Sequence, residues 1–143
     1  MPTEGADTVI ILHGINDIIH PVGEETNIFR PMSDLPTVEE LIDGLKKYIA
    51  QARSYGYKVY AGTLLPMGGW RTDAPFRQEI RHAYNEFIRT TELLDGYIDF
   101  DREMQNGEES NALIPSYDSG DHLHPSKKGY ERMAKEIPAD LLK

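Results

Sequence analysis

The amino-acid sequence predicts an α/β protein built on a parallel β-sheet. Short apolar runs alternate with long amphipathic segments in the order β-α-β-α-β-α. The first run, TVIIL at 8–12, is continuous and rich in β-branched residues, which is typical of a strand buried on both faces. Right-handed crossovers between such strands give a parallel sheet with helices on both faces. The length of 143 residues fits a single domain spanning 1–143.

The strands are expected at 8–12, 57–65 and 96–100, each ended by polar residues or glycine and proline. Between the first strand and the first long helix, residues 13–36 form a polar segment with three prolines, which predicts a long loop. A second polar segment, roughly 101–120, is also expected to lack regular structure. The sequence therefore places its irregular segments after strands, where ligands bind in α/β proteins.

The first long helix is predicted over 37–56. Thr37 and Glu40 match a capping box, in which each side chain accepts a hydrogen bond from the backbone N–H of the other residue. Gly56 suits a left-handed C-terminal cap. Apolar residues recur at helical spacing and define one buried stripe: Val38, Leu41, Ile42, Leu45, Tyr48, Ile49 and Ala52.

The second helix is predicted to begin near Asp73 and Pro75, because proline is favoured in the first turn. A third helix begins after Ser126, a candidate N-cap. The buried side of the second helix is expected to carry its apolar residues: Phe76, Ile80, Ala83, Tyr84, Phe87 and Ile88.

Composition and charge narrow the classes of partner. The formal net charge is -9, which opposes nucleic acid and anionic membrane surfaces, because both bind through Lys and Arg. No apolar run approaches the ~20 residues of a membrane span, and the first residues lack the pattern of a signal peptide. The chain has no cysteine, which excludes disulfides and cysteine nucleophiles. We expect a soluble protein with a small-molecule partner; the compartment stays open.

The segment LHGIND places Gly14, Asn16 and Asp17 directly after the first strand. Glycine permits the sharp turn that the backbone must make there. An Asn amide at this edge can donate a hydrogen bond to an oxyanion that develops during acyl transfer, an effect of roughly 3–4 kcal/mol for one good donor. Alternatively, Asn16 and Asp17 only cap their own turn.

The segment YDSGDHLHP carries an Asp-x-x-His pair, Asp121 and His124. His124 can act as a general base if a carboxylate orients its ring and stabilises the imidazolium. Alternatively, Asp121 caps the following helix in an exposed loop. A metal site is a further alternative, because Asp118 and His122 bring the number of possible nitrogen or oxygen ligands within seven residues to four. On the loop PMGGW, Met67 and Trp70 are candidates to line a substrate pocket, together with Asp17.

Gly14-Ile15-Asn16-Asp17 and Asp121-His122-Leu123-His124, in this order, resemble the third and fifth sequence blocks of the SGNH hydrolases, the GDSL-type esterase and lipase family. The resemblance extends from about Asp7 to the C-terminus and implies a flavodoxin-like three-layer sandwich. It implies a carboxylic-ester hydrolase that works through an acyl-enzyme without metal or cofactor. His124 would be the base, Asp121 its orienting carboxylate and Asn16 an oxyanion donor, while Gly14 would shape the turn.

The family's first block, Gly-Asp-Ser, and its second block have no counterpart, and neither do the first strands of the SGNH fold. The nucleophile is therefore unassigned. Ordinary polar roles are expected for the serines present: Ser33, Ser54, Ser110, Ser116, Ser119 and Ser126. Two alternatives to an acyl-enzyme hydrolase remain: an incomplete fold acting as a fragment or interaction module, and weak hydrolysis by His124-activated water.

The resemblance has one further implication for the sheet. In the family, the first strand lies beside the strand that corresponds to TVIIL, so this strand is expected to have a free edge. An apolar edge strand is a template for pairing with another chain. We therefore expect self-association through residues 7–12, or a partner that supplies the missing strands.

Overall fold

The computed structural model describes residues 3–23, 29–107 and 110–142. Its strands are β1 (Thr8–Ile11), β2 (Lys58–Gly62) and β3 (Gly96–Ile98). Its helices are α1 (Ile15–Ile19), α2 (Val38–Ser54), α3 (Pro75–Thr90), α4 (Phe100–Met104) and α5 (Lys127–Glu136). Two 3₁₀ turns lie at Met32–Asp34 and Ala139–Leu142.

The three strands form a parallel sheet in the order β1-β2-β3. Val9 lies opposite Val59, and Tyr60 lies opposite Gly96. This architecture confirms the predicted α/β fold class. Because the carboxyl ends of parallel strands share one edge, the segments that follow β1, β2 and β3 leave the sheet on the same side. Within the described residues, β1 pairs only with β2, so its other edge is open.

Helix α2 forms largely as its sequence predicts. Thr37 and Glu40 make both hydrogen bonds of the capping box, and Gly56 adopts a left-handed conformation with φ of 84°. Leu41, Leu45 and Ile49 are buried in the core. Tyr48, predicted on the same stripe, is instead 49% exposed, because it lies beside the open edge of β1 where the described residues add no further layer.

Helix α3 begins with Pro75 in its first turn as predicted, but its buried face is different. Tyr84 and Ile88 are buried, whereas Phe76 and Ala83 are exposed. The rest of the buried face is polar, because it makes hydrogen bonds to α1, to the segment after β2 and to α4 rather than apolar contacts. These polar residues are Arg77, Gln78, Arg81 and Asn85.

The two segments predicted to be irregular contain short helices. Helix α1 follows Gly14, whose carbonyl accepts the backbone N–H of Asp17 and Ile18. Helix α4 follows Asp99, whose side chain accepts the backbone N–H of Arg102. Both helices have five residues, too few for amphipathic periodicity to reveal them in the sequence. Strands β2 and β3 end earlier than predicted because the chain leaves the sheet at Thr63 and Asp99.

No helix in the described ranges combines the length and the apolarity that crossing a bilayer requires.

Candidate functional site

The turn after β1 depends on Gly14, which has a φ of 123°. A side chain in this conformation would be strained, although the nearest neighbour of a Cβ at this position would be Tyr84 at an ordinary 3.5 Å. The turn starts α1 and leaves Asn16 exposed on its first turn. Asp17 lies next to it and forms an ion pair of 3.3 Å with Arg30. The glycine thus determines where the Asn16 amide lies relative to the sheet edge.

The turn before α5 is organised around the Asp121 carboxylate. One oxygen accepts the backbone N–H of Leu123 at 3.0 Å and of His124 at 2.8 Å, and the Ser119 hydroxyl at 3.1 Å. The other oxygen lies 2.6 Å from Nδ1 of His124. A single carboxylate therefore both folds the turn and fixes the imidazole ring, as the Asp-x-x-His spacing predicts.

The ionisation of Asp121 follows from these contacts. Burial raises the pKa of its carboxyl, but the hydrogen bonds from the His124 ring and from the backbone N–H groups of His124 and Leu123 outweigh burial. The pKa therefore lies well below its usual range, and the group is a carboxylate at neutral pH. A carboxylate beside Nδ1 favours the tautomer with its proton on that nitrogen. The lone pair of Nε2 is then available as a base.

A second Asp–His pair lies in the same turn. Asp118 accepts the backbone N–H of Gly120 and His122, and its other oxygen lies 2.8 Å from Nδ1 of His122. His122 adopts a left-handed conformation with φ of 67°. His122 and His124 therefore contact separate carboxylates. Among the described residues, there is no group of three or more His, Asp or Glu side chains that could hold a metal ion.

Asn16 and His124 line one cavity of about 240 Å³ at the carboxyl end of the sheet. The other lining residues are mostly apolar and come from the segments that follow β1 and β2, from α1, from the Asp-x-x-His turn and from α5: Leu12, His13, Ile15, Leu64, Leu65, Leu123, Pro125, Tyr130 and Met133. The Asn16 side chain makes no hydrogen bond to any described residue. The two motifs, more than a hundred positions apart in the chain, therefore meet at one apolar cleft with a free amide and a base.

The loop after β2 places Trp70 beside His124. The two rings meet edge to face, with centroids 6.3 Å apart. Trp70 Nε1 is buried and has no hydrogen-bond partner among the described residues. Gly69 has a φ of 92°, and a Cβ there would lie 3.2 Å from the His122 ring. The glycine thus lets the loop approach the Asp-x-x-His turn closely.

The other predicted pocket residues are placed differently. Met67 is fully buried within the hydrophobic core and is not among the residues that line the cleft. Asp17 lies on a neighbouring cavity with Gly14 and Tyr84, where its carboxylate faces Arg30. Of the three candidates, only Trp70 contacts the ring of His124.

A buried polar network behind the loops was not predicted. Arg81 is fully buried; it donates to the Leu64 carbonyl at 3.2 Å, to Gln78 at 2.9 Å and to the Asp101 carboxylate. Gln78 donates in turn to Asp73 at 2.7 Å, and Asp73 accepts the backbone N–H of Gly69 at 3.0 Å. The network therefore connects α3 to the loop that carries Trp70.

A signal for this network was present in the sequence. Gln78, Arg81 and Asn85 recur at spacings of three and four residues, the same period as an apolar stripe. Asn85 accepts from the backbone N–H of Leu64 at 2.7 Å and donates to its carbonyl at 2.9 Å. These two bonds hold the end of β2, at the position from which the Trp70 loop departs.

The serines of the described residues lie outside hydrogen-bond distance of the His124 ring. Ser119 donates to Asp121, on the far side of that carboxylate from the imidazole. Ser126 is the N-cap of α5 as predicted, accepting from Gly129, and its hydroxyl donates to the Ser116 carbonyl. Ser54 donates to the Gln51 carbonyl within α2. In the described part of the chain, no serine hydroxyl therefore forms a hydrogen bond with the His124 ring.

Similarity to known proteins extends over most of the chain. The family model of the GDSL-like lipase/acylhydrolase family matches residues 1–132. No curated protein matches the chain in sequence.

Several solved structures share the fold. A candidate acylhydrolase from Bacteroides fragilis is 22% identical with a TM-score of 0.71, over 94% of this chain and 61% of that protein. A GDSL-like lipase from Bacteroides thetaiotaomicron is 22% identical with a TM-score of 0.63, over 94% and 62%. The acetylxylan esterase Axe2 from Geobacillus stearothermophilus is 18% identical with a TM-score of 0.65, over 94% and 59%.

The chain therefore spans about three fifths of the length of these structures. At such identities the structural matches establish the fold alone, whereas the family model covers most of the chain. The chain belongs to the GDSL-like lipase/acylhydrolase family.

Proposed function

We propose that this chain carries the base and oxyanion side of a carboxylic-ester hydrolase site. His124 is the general base, Asp121 orients and stabilises its ring, and Asn16 donates to the oxyanion. The observation that carries the proposal is the 2.6 Å contact between Nδ1 of His124 and Asp121, at a cleft that Asn16 shares. Membership of the acylhydrolase family and the fold of the esterase Axe2 support the same reaction class.

In the proposed mechanism, Nε2 of His124 takes the proton of an attacking hydroxyl as its oxygen bonds to the ester carbonyl carbon. Asp121 stabilises the imidazolium that forms. The Asn16 amide donates to the carbonyl oxygen as it becomes an oxyanion. His124 then returns the proton to the departing alcohol. In the second half, His124 takes a proton from a water molecule whose oxygen bonds to the acyl carbon. It then returns this proton to the nucleophile oxygen as the bond to the acyl group breaks and the carboxylic acid is released.

The remaining predicted residues have supporting roles in this proposal. Gly14 shapes the turn that presents Asn16, and Asp17 holds that turn through Arg30. Trp70 packs edge to face on the ring of the base, although it is not among the residues that line the cleft. Met67 supports Trp70 from the core without contacting the substrate. The nucleophilic hydroxyl is left unassigned.

The absence of a serine hydroxyl within hydrogen-bond distance of His124, among the described residues, favours a second candidate, an incomplete fold that acts as an interaction module. A third is hydrolysis in which His124 activates water directly, with no covalent intermediate. In that case Nε2 takes the proton of the water that attacks the carbonyl carbon. These candidates differ in whether a covalent adduct forms and whether turnover requires His124.

The discriminating experiment is intact-mass spectrometry after exposure to an activated phosphonate, together with turnover of an activated acetate ester. The variants are His124→Ala and, as a matched control, His122→Asn, which removes the neighbouring histidine but tolerates a left-handed backbone. A stoichiometric adduct in the wild type and in His122→Asn, lost in His124→Ala, supports the acyl-enzyme mechanism. Turnover that requires His124 without an adduct supports water activation. If the folded protein forms no adduct and shows no turnover, the interaction module is the candidate that remains.

We also propose that the chain self-associates through the open edge of β1. A groove of about 640 Å³ runs along this edge, between β1 and α2. It is lined by Val9, Ile11, Tyr48 and Tyr55 among others, and by no Asp, Glu, Lys or Arg of the described residues. A chain with a net charge of -9 repels its own copies over most of its surface, so an uncharged apolar edge is where two copies can meet.

A further inference from the structure

Arg71 occupies an unusual position beside the site. Its guanidinium lies between two aromatic rings, with its Cζ 4.5 Å from the centroid of Phe29 and 4.7 Å from that of Trp70. The same Trp70 ring meets His124 on its edge. Arg71 is nevertheless exposed to solvent. One indole ring therefore separates the proposed base from a solvent-accessible cation.

The guanidinium of Arg71 has no carboxylate partner among the described residues, whereas its neighbours are engaged. Arg30 pairs with Asp17 at 3.3 Å. Arg77 is buried and donates to the backbone carbonyls of Ile18 and Pro21. No described residue therefore takes up the hydrogen-bonding capacity of Arg71.

The local charge near Arg71 is opposite to that of the whole chain. His20, which packs edge to face on Phe29, has its pKa lowered by burial first and then by the charges of Arg30 and Arg71, while Asp17 acts in the opposite direction. A locally positive region in a chain with a net charge of -9 attracts an anionic group of a ligand.

We propose that Arg71 binds a carboxylate of the substrate, so that the site prefers esters that carry a carboxylate several bonds from the reacting carbonyl. This inference rests on the proposed hydrolase function. A guanidinium matches a carboxylate through two parallel hydrogen bonds. The two flanking rings hold the guanidinium by cation–π contacts, which reduces the conformational entropy lost when it binds. The Trp70 ring sets the spacing between this group and His124.

The test compares monomethyl glutarate, which has a carboxylate remote from its ester, with dimethyl glutarate, in which a methyl ester replaces that carboxylate. Trp70 is the single tryptophan and lies between Arg71 and His124, so its fluorescence reports binding at this site without turnover. Isothermal titration calorimetry gives an independent affinity. We expect monomethyl glutarate to bind about tenfold more tightly than dimethyl glutarate at low salt, which is the gain in affinity that a charged hydrogen bond gives. This difference in affinity should decrease as the ionic strength rises.

Arg71→Gln should remove this preference, so that the two esters bind to this variant with equal affinity. The matched control is Arg102→Gln, which removes one exposed positive charge on α4 and should preserve the preference. Circular dichroism confirms folding of both variants. Equal affinities of the wild-type chain for the two esters, binding of neither, or a preference that survives Arg71→Gln each overturn the proposal. Binding of the two esters requires no nucleophile. The comparison of their affinities can therefore be interpreted even if the protein does not react with the phosphonate.

Discussion

Asp121 performs two tasks with one carboxylate. It accepts two backbone N–H groups and the Ser119 hydroxyl, which folds the turn, and it contacts His124 Nδ1, which sets the ring. The Asp-x-x-His spacing predicted the second task from the sequence. The folding of the turn depends on the path of residues 118–125, which bring Asp118 and Pro125 together in an antiparallel β-bridge.

The first prediction concerns the stability of the Asp121→Asn variant as a function of pH. The pKa of Asp121 is depressed in the folded state, so its contribution to stability is complete above the unfolded value of about 4. It is lost as the pH falls through the folded value. We expect the variant to be less stable at pH 7 by about 1 kcal/mol or less, because the side chain is 40% exposed and solvent screens the interaction.

Urea unfolding of both proteins at pH 7 and pH 3 measures this difference, which should be smaller at the lower pH. Asp43→Asn is the control, because Asp43 is 64% exposed and pairs only with Lys46. A stability gap that grows on acidification would contradict the depressed pKa of Asp121.

The second prediction concerns two glycines in different backbone conformations. Gly14→Ala should destabilise the fold by roughly 1–3 kcal/mol, because a φ of 123° is strained for alanine. Gly44→Ala should stabilise it by about 1 kcal/mol, because Gly44 lies inside α2 and a Cβ there meets nothing within 4 Å. Equilibrium urea unfolding measures both changes, and equal effects at the two sites would be inconsistent with strain at Gly14.

Helix α3 joins the sheet to the candidate site through a buried face with two apolar and four polar residues. Its apolar residues Tyr84 and Ile88 pack into the core. Its polar residues hold the end of β2 through Leu64 and reach the Trp70 loop through Gln78 and Asp73. The helix thus positions a loop that it does not contain.

The third prediction is that Arg81→Met destabilises the fold by about 3–5 kcal/mol, because it breaks a buried ion pair and leaves several acceptors without their donor. Arg102→Met is the matched control. Arg102 is 69% exposed and lies 3.9 Å from Asp99, so its loss should cost less than about 1 kcal/mol.

Urea unfolding measures both variants, and the fluorescence of Trp70 in the folded state gives a second readout. Arg81→Met should change this emission, because the hydrogen bonds from Arg81 through Gln78 and Asp73 hold the Trp70 loop. Similar stabilities for the two variants, with unchanged emission, would mean that the network contributes little to the loop.

The whole molecule has an acidic surface and one uncharged, apolar sheet edge. Leu12, Tyr48 and Tyr55 are all close to half exposed near this edge. Contacts between copies elsewhere oppose like charges, whereas pairing at β1 satisfies backbone groups that no described residue binds.

The fourth prediction is that the wild-type chain forms dimers or larger species at high concentration and that Ile10→Lys forms fewer. Ile10 is half-buried on β1 and lies outside the core cluster, so a lysine there adds charge to the edge with little loss of packing. Size-exclusion chromatography with light scattering measures the mass. Leu93→Lys, at an exposed position away from the groove, is the control. A wild-type monomer at every concentration would contradict association through β1.

The sequence by itself determined the fold class, the Asn16 turn and the Asp121–His124 pair. Each depends on local physics: β-branched runs favour strands, the 3.6-residue period and caps define α2, and an Asp three residues before a His reaches its ring. Short helices such as α1 and α4 escaped prediction because five residues give too little periodicity.

Only the tertiary structure decided which distant residues meet. The shared cleft of Asn16 and His124, the burial of Met67 and Arg71's position between Phe29 and Trp70 all arise from separate segments. The polar face of α3 is buried because its partners come from other elements, including Leu64 after β2 and Asp101 in α4. Burial of a charged side chain is favourable only when such partners are present, and a local sequence pattern contains no information about them.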